Sequence, residues 1–189
     1  MELKALCIGL PKTGTTTLYK ALCSAGLHAV RRHQPGKPAA GYIMHRNLLH
    51  GRPLLHGMET VEAVTQPDTC LHGMNVWPQM DADFLCRVRA EFPRCTFILQ
   101  ARDTELTLAS IRAHGDLRER IVYAPGLYGA ATTDNDIRAW IGRHYDSALE
   151  VIATLGGVTF DIASPEAPAA LMQAMDIDIG WWGRANARA

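Results

Sequence analysis

The chain has 189 residues, 48% of them hydrophobic, and its 19 Lys and Arg are balanced by 19 Asp and Glu. That length suits one domain with a substantial core. A formal charge of zero gives no general attraction to nucleic acid or an anionic membrane, so any anion site must be local. No apolar run approaches the ~20 residues a membrane span requires.

Leu3 to Leu10 is a near-continuous apolar run, as expected of a strand covered on both faces. Thr15 to Ala25 reads as a helix with Leu18, Ala21, Leu22 and Ala25 on one face and Gly26 as its stop. Leu27 to Val30 is a second short strand, and Gln34 to Pro38 is a loop. Ala40 to Leu49 is a further helix, but the rest of 39–73 is crowded with His, Pro and Gly and shows no clear period. Asp81 to Phe92 is amphipathic, and Cys95 to Leu99 is the clearest strand in the chain.

Asp103 or Thr104 caps a helix running through Ser110 to about His114. Gly115 to Thr133, with Pro125, Gly126 and Gly129, is a connection of the length often seen in active-site lids. A helix from Asp134 or Asn135 to Leu155 stops at Gly156-Gly157, and Val158 to Ile162 is the last strand. Ser164-Pro165-Glu166 opens a final helix with Pro at its first position, and 183–189 form a frayed tail. Strands alternating with helices predict one three-layer α/β domain around a parallel sheet with right-handed crossovers.

Five cysteines, odd in number and without a C-x-x-C pair, read as reduced thiols. Cys7, Cys86 and Cys95 lie in apolar or helical patterns and are expected to be buried. With the first strand starting at Leu3, no leader peptide is expected, and the expected location is the cytoplasm. The eight histidines show neither H-x-x-x-H nor H-E-x-x-H, so no metal site is expected. Trp181-Trp182 is expected to plug the core.

The informative segment is Gly9-Leu10-Pro11-Lys12-Thr13-Gly14-Thr15-Thr16, between the first strand and the first helix. Its glycines have the spacing of the nucleotide P-loop, and Thr16 stands at the Ser/Thr position. Thr15, however, holds the position of the P-loop lysine, and the only lysine has moved into the loop at Lys12. Amides at a helix N-terminus still attract an anion. The displaced cation suits a shorter one than a triphosphate. A bare strand-to-helix turn would explain the glycines, but an exposed Pro-Lys-Thr-Gly-Thr-Thr run is a poor choice for packing. Arg102, closing the strand of Phe97 to Ala101, lies where open α/β sheets bind ligands and offers a forked donor.

Pro11 to Thr16 resembles the 5′-phosphosulfate loop of sulfotransferases that use 3′-phosphoadenosine 5′-phosphosulfate (PAPS). Phe97-Ile98-Leu99-Gln100-Ala101-Arg102-Asp103, with Ser110 eight positions after Arg102, is similar to that family's 3′-phosphate signature. The likeness extends loosely through Phe92-Pro93 to Arg143-His144-Tyr145, and is nearest the short bacterial members. It implies a P-loop NTPase-like sulfotransferase fold that needs no metal. It also implies that Pro11, Lys12, Thr13, Gly14, Thr15 and Thr16 hold the 5′ end, with Lys12 on the bridging oxygen. Arg102 and Ser110 would hold the 3′-phosphate, and 34–80 would shape the pocket for a small-molecule, glycan or lipid acceptor.

Family members place a base near the end of the strand preceding the helix at 81–92, often within a Thr-Asp pair. Here Thr65-Gln66 and Met74-Asn75 stand there, neither able to take a proton. His72 is the expected base and Asp68 the alternative, with Asp81, Glu59 and His33 next in line. Arg184 and Arg188 only faintly match the family's basic C-terminal segment, whose Arg-Lys-Gly pattern is missing. The expected activity is sulfuryl transfer from PAPS to a hydroxyl or amine. A non-catalytic nucleotide-binding protein and a P-loop kinase remain the alternatives.

Overall fold

The computed structural model describes residues 2–32, 36, 38–127, 129 and 133–185. Five parallel strands form one sheet in the order β2-β3-β1-β6-β7. They are β1 (Ala5–Cys7), β2 (Ala29–Val30), β3 (Ala63–Val64), β6 (Thr96–Ala101) and β7 (Gly157–Asp161). A separate antiparallel hairpin joins β4 (Thr69–Leu71) to β5 (Met74–Val76).

The alternation of β1 divides the core. Ala5 and Cys7 face α1 (Thr15–Ser24) and α7 (Ala167–Met175), with Leu18, Leu22, Ala167 and Leu171. Leu6 and Ile8 face α2 (Ala40–Leu49), α3 (Ala82–Glu91) and α6 (Asp134–Leu155), with Ile43, Met44, Phe84, Val88 and Ala148. Helices on both faces of a parallel sheet are the arrangement that the strand–helix alternation predicts. A smaller cluster gathers Leu10, Trp77 and Trp140 with α4 (Thr104–Arg112) and α5 (Leu117–Ile121) at the carboxyl end of β1. The rings of Trp77 and Trp140 meet edge to face there, 5.5 Å apart.

Four sequence expectations are corrected. The connection 115–133 is not an open lid: it contains α5, and Leu117, Ile121, Ala124 and Leu127 are buried. The last helix starts at Ala167, so its first-turn proline is Pro168; Ser164 to Glu166 form a turn instead, where the Ser164 hydroxyl bonds Glu166. The patternless stretch hides β3, too short at two residues to show a period. Cys86 is exposed on α3. Within the 183–189 tail, the carbonyl of Gly183 is held by the Thr17 hydroxyl, and 186–189 lie outside the described residues.

Cysteine burial yields a first expectation. Desolvation pushes the thiols of Cys7, Cys70 and Cys95 up to about 12, so they stay protonated and inert at neutral pH. Iodoacetamide on the native protein should alkylate Cys23 and Cys86 alone, as read by peptide mass spectrometry. Rapid native labelling of Cys7 would contradict this core.

Candidate functional site

Because every strand of the main sheet runs the same way, every strand delivers its following residues to one edge. Arg31 and Arg32 follow β2, Thr65 to Asp68 follow β3, Gly9 to Gly14 follow β1, Arg102 follows β6 and Ile162 follows β7. This carboxyl edge is where open α/β sheets bind ligands.

The loop after β1 is a tight turn into α1. Lys12 and Gly14 both take positive φ, at 73° and 103°, which turns the chain sharply into α1. At Gly14 a Cβ would lie 2.4 Å from Ile162 Cγ1, so only glycine fits. The buried Thr13 hydroxyl donates to the Leu10 carbonyl at 2.6 Å and closes the turn. α1 has no side chain capping its N-terminus, and the loop presents its first amides with the positive end of the helix dipole behind them.

Side chains from other elements hold this loop. Arg102 Nη1 donates to the Lys12 carbonyl at 2.8 Å, so the left-handed residue is braced by the end of β6. Lys12 Nζ donates to His114 Nδ1 at 3.1 Å, just beyond α4. Arg31 Nη1 donates to the Thr16 hydroxyl at 2.7 Å. His144 lies beneath the loop; burial lowers its pKa to about 4, and its neutral ring donates from Nε2 to the Ile8 carbonyl at 2.8 Å. Tyr145 binds both the amide and the carbonyl of Arg102 through its hydroxyl, at 3.2 Å each.

The two expected bases occupy different settings. His72 is 68% exposed in the β4–β5 turn, and its Nε2 meets Asp116 at 2.6 Å. Asp116 stands two residues beyond His114, the partner of Lys12. Asp68 is 2% exposed and follows β3, the strand paired with β1. Its Oδ2 accepts from Gln66 Nε2 at 3.2 Å, and Gln66 Oε1 faces the Thr15 hydroxyl at 3.5 Å. Desolvation raises its carboxyl to about 6, against the pull of Gln66, Arg32 and Arg120. A carboxylate titrating there is ionised at neutral pH and still basic enough to accept a proton. Asp68 is thus buried beside the loop, whereas His72 is exposed at its periphery.

The other sequence-derived residues are placed as follows. Pro11 is buried in the loop, and Ser110 is half-buried on α4, following the strand end that carries Arg102. Asp81 caps α3 at the Phe84 amide, and Glu59 accepts from the Gly57 amide, so both have structural uses away from the loop. His33 lies outside the described residues. Arg31, Arg32 and His114 escaped the sequence reading, which weighed Gln66 only as unable to take a proton. The pair Arg31-Arg32 directly after a strand was the available signal, since that junction points to the carboxyl edge.

Strand order and loop thus define an α/β domain with a P-loop-like strand–loop–helix at the centre of its sheet. No protein-family model matches the chain, and no curated protein does. Among solved structures it is similar to the crystal structure of a gluconokinase from Sinorhizobium meliloti 1021, with a TM-score of 0.43 and 12% identity over 93% of this chain and 92% of that one. A likeness at that level does not bear on activity. Among the described residues no helix is long and apolar enough to cross a membrane, and no trio of His, Cys, Asp or Glu could hold a metal ion.

Proposed function

We propose that this chain transfers a sulfuryl group from PAPS to an acceptor, with the loop 11–16 on the 5′-phosphosulfate and Asp68 as base. The observation carrying this reading is the pair of threonines opening α1. Thr15 replaces the lysine that would reach a γ-phosphate. Thr16, which would hold Mg²⁺ in a P-loop kinase, instead accepts from the Arg31 guanidinium. A fixed cation beside Thr16 suits an anion held without metal.

The residues at hand fit such a donor. The amides of Thr13 to Thr16 and the helix dipole would bind the 5′-phosphate. Lys12, on its left-handed turn, would bind the bridging oxygen, and Arg102 with Ser110 the 3′-phosphate. Bound there, the donor supplies an electrophilic sulfur and a stabilised leaving group. Asp68 takes the acceptor proton. Lys12 and the loop amides stabilise the charge that grows on the leaving oxygen, a contribution that usually dominates transfers of this kind.

A second reading, a P-loop kinase, draws on Asp68 alone, since an acid following the strand next to the loop could face a magnesium ion. Calorimetry separates the two. Adenosine 3′,5′-bisphosphate should bind at least about tenfold more tightly than AMP, because a charge-assisted phosphate contact is worth about 1.5–3 kcal/mol. EDTA should change nothing. Magnesium-dependent ATP binding, with the bisphosphate no tighter than AMP, would replace the sulfotransferase by the kinase. Tight bisphosphate binding with no turnover on any acceptor would indicate a nucleotide-binding protein without catalysis.

A further inference from the structure

Among the described residues, the buried polar atoms without hydrogen-bond partners include Asp68 Oδ1, after β3, and Arg32 Nε, after β2. Their segments leave the sheet side by side, because β2 and β3 pair in parallel with Val30 opposite Val64. α2 ties them together. Its first residue, Ala40, donates its amide to the Arg32 carbonyl at 2.9 Å. The next, Gly41, packs so closely on Pro67 that a Cβ would fall 1.8 Å from the Pro67 carbonyl oxygen. Arg32 thereby lies near enough for its charge to act on Asp68. The other carboxyl oxygen of Asp68 is already engaged by Gln66, which faces Thr15 of the anion loop.

One acceptor and one donor thus wait beside the loop, both screened from bulk water. A single ligand atom that satisfies both is a hydroxyl oxygen, which donates its proton to Asp68 Oδ1 and accepts from the Arg32 N–H. An ammonium only donates and would set a second positive charge beside Arg32, and a neutral amine has a single lone pair, which the attack on sulfur uses, so either leaves the Arg32 N–H unsatisfied. A carboxylate or phosphate only accepts, and Asp68 would repel it. We propose that Asp68 and Arg32 form a hydroxyl-specific acceptor subsite, so that the group sulfated is an alcohol or phenol and not an amine.

This rests on the sulfotransferase reading. In the step, the acceptor O–H bond breaks and its proton passes to Asp68 Oδ1. A new O–S bond forms as the bond from sulfur to the bridging oxygen breaks. That electron pair stays on the 5′-phosphate of the departing bisphosphate, and Arg32 holds the acceptor oxygen through its remaining lone pair.

The test pairs 2-naphthol with 2-naphthylamine and 2-phenylethanol with 2-phenylethylamine, using labelled PAPS and the whole chain, with bisphosphate affinity measured alongside. The alcohols should be favoured by about tenfold or more in kcat/KM, the discrimination expected when a mismatched group leaves a buried site atom unpaired. Arg32→Gln should cut that preference to about threefold or less, with Arg32→Lys intermediate, while bisphosphate affinity stays within about twofold and certifies the fold. Amines used as well as alcohols, or an unchanged preference in Arg32→Gln, would overturn the subsite. So would sulfation of none of the four when the bisphosphate binds tightly, an outcome that leaves the nucleotide site standing. Failure to bind the bisphosphate would instead remove the function on which the subsite depends.

Discussion

Lys12→Ala is expected to lower turnover by about 10²–10³-fold, the usual cost of removing one donor to a charge that develops in the transition state. Nucleotide affinity should fall by less than about tenfold, because the contact strengthens only as the leaving oxygen gains charge. Arg102→Ala should behave differently. Its guanidinium braces the Lys12 carbonyl at 2.8 Å, so its loss weakens the loop as well as the proposed 3′-phosphate contact. Affinity and turnover should therefore both drop. Rapid-quench turnover with saturating PAPS, together with calorimetry, separates these outcomes. A Lys12→Ala enzyme with normal turnover would rule out its catalytic part.

Asp68→Asn is expected to cost activity and to change the pH dependence of stability. A base contributes about 10²–10⁴-fold, and turnover should fall accordingly. In the folded protein burial raises this carboxyl to about 6, above its value in the unfolded chain. The favourable state is thus fully present at low pH and is lost as pH rises from about 4 through about 6. Above that window the native state carries a cost of up to about 3 kcal/mol. Asparagine has no charge to desolvate, so the variant should be more stable than the parent at pH 7 and no more stable at pH 3.5.

His144 acts in the opposite sense. Its pKa is lowered to about 4 by burial, so stability falls as pH drops through about 6.5 to 4. The two effects oppose each other over nearly the same window. Denaturant titrations should show a shallow dependence for the parent between pH 4 and 6.5. For Asp68→Asn stability should instead rise steeply with pH. Parallel curves for the two proteins would sink this assignment. Stability gained while turnover is lost is the trade-off expected of a buried functional carboxylate.

Much of the architecture could be read from local pattern. Continuous apolar runs, strong caps and amphipathic stripes locate β1, α1, α3, β6, α6 and β7 to within a few residues of their observed bounds. β3 was illegible because its two residues lie in the His-, Pro- and Gly-crowded stretch 39–73, and with it went the end of the strand that delivers Asp68. The different settings of His72 and Asp68, one exposed and one buried, were equally invisible in local pattern. A histidine is the usual proton acceptor near neutral pH, and only desolvation makes an aspartate its equal.

The sequence by itself determined the strand–loop–helix turn at 9–16, since its glycine spacing and displaced lysine are properties of eight consecutive residues whose turn is local. It also determined the alternation of strands and helices, and hence a parallel sheet whose carboxyl edge gathers the residues that follow its strands. Only the tertiary structure decided what stands beside the loop. Arg31 reaches Thr16 across 15 positions, Arg102 reaches Lys12 across 90, and His114 reaches Lys12 across 102. The physical reason is that burial and charge proximity depend on neighbours brought together by strand order. Neither the raised carboxyl of Asp68 nor the unpaired Nε of Arg32 has any signature in its own segment.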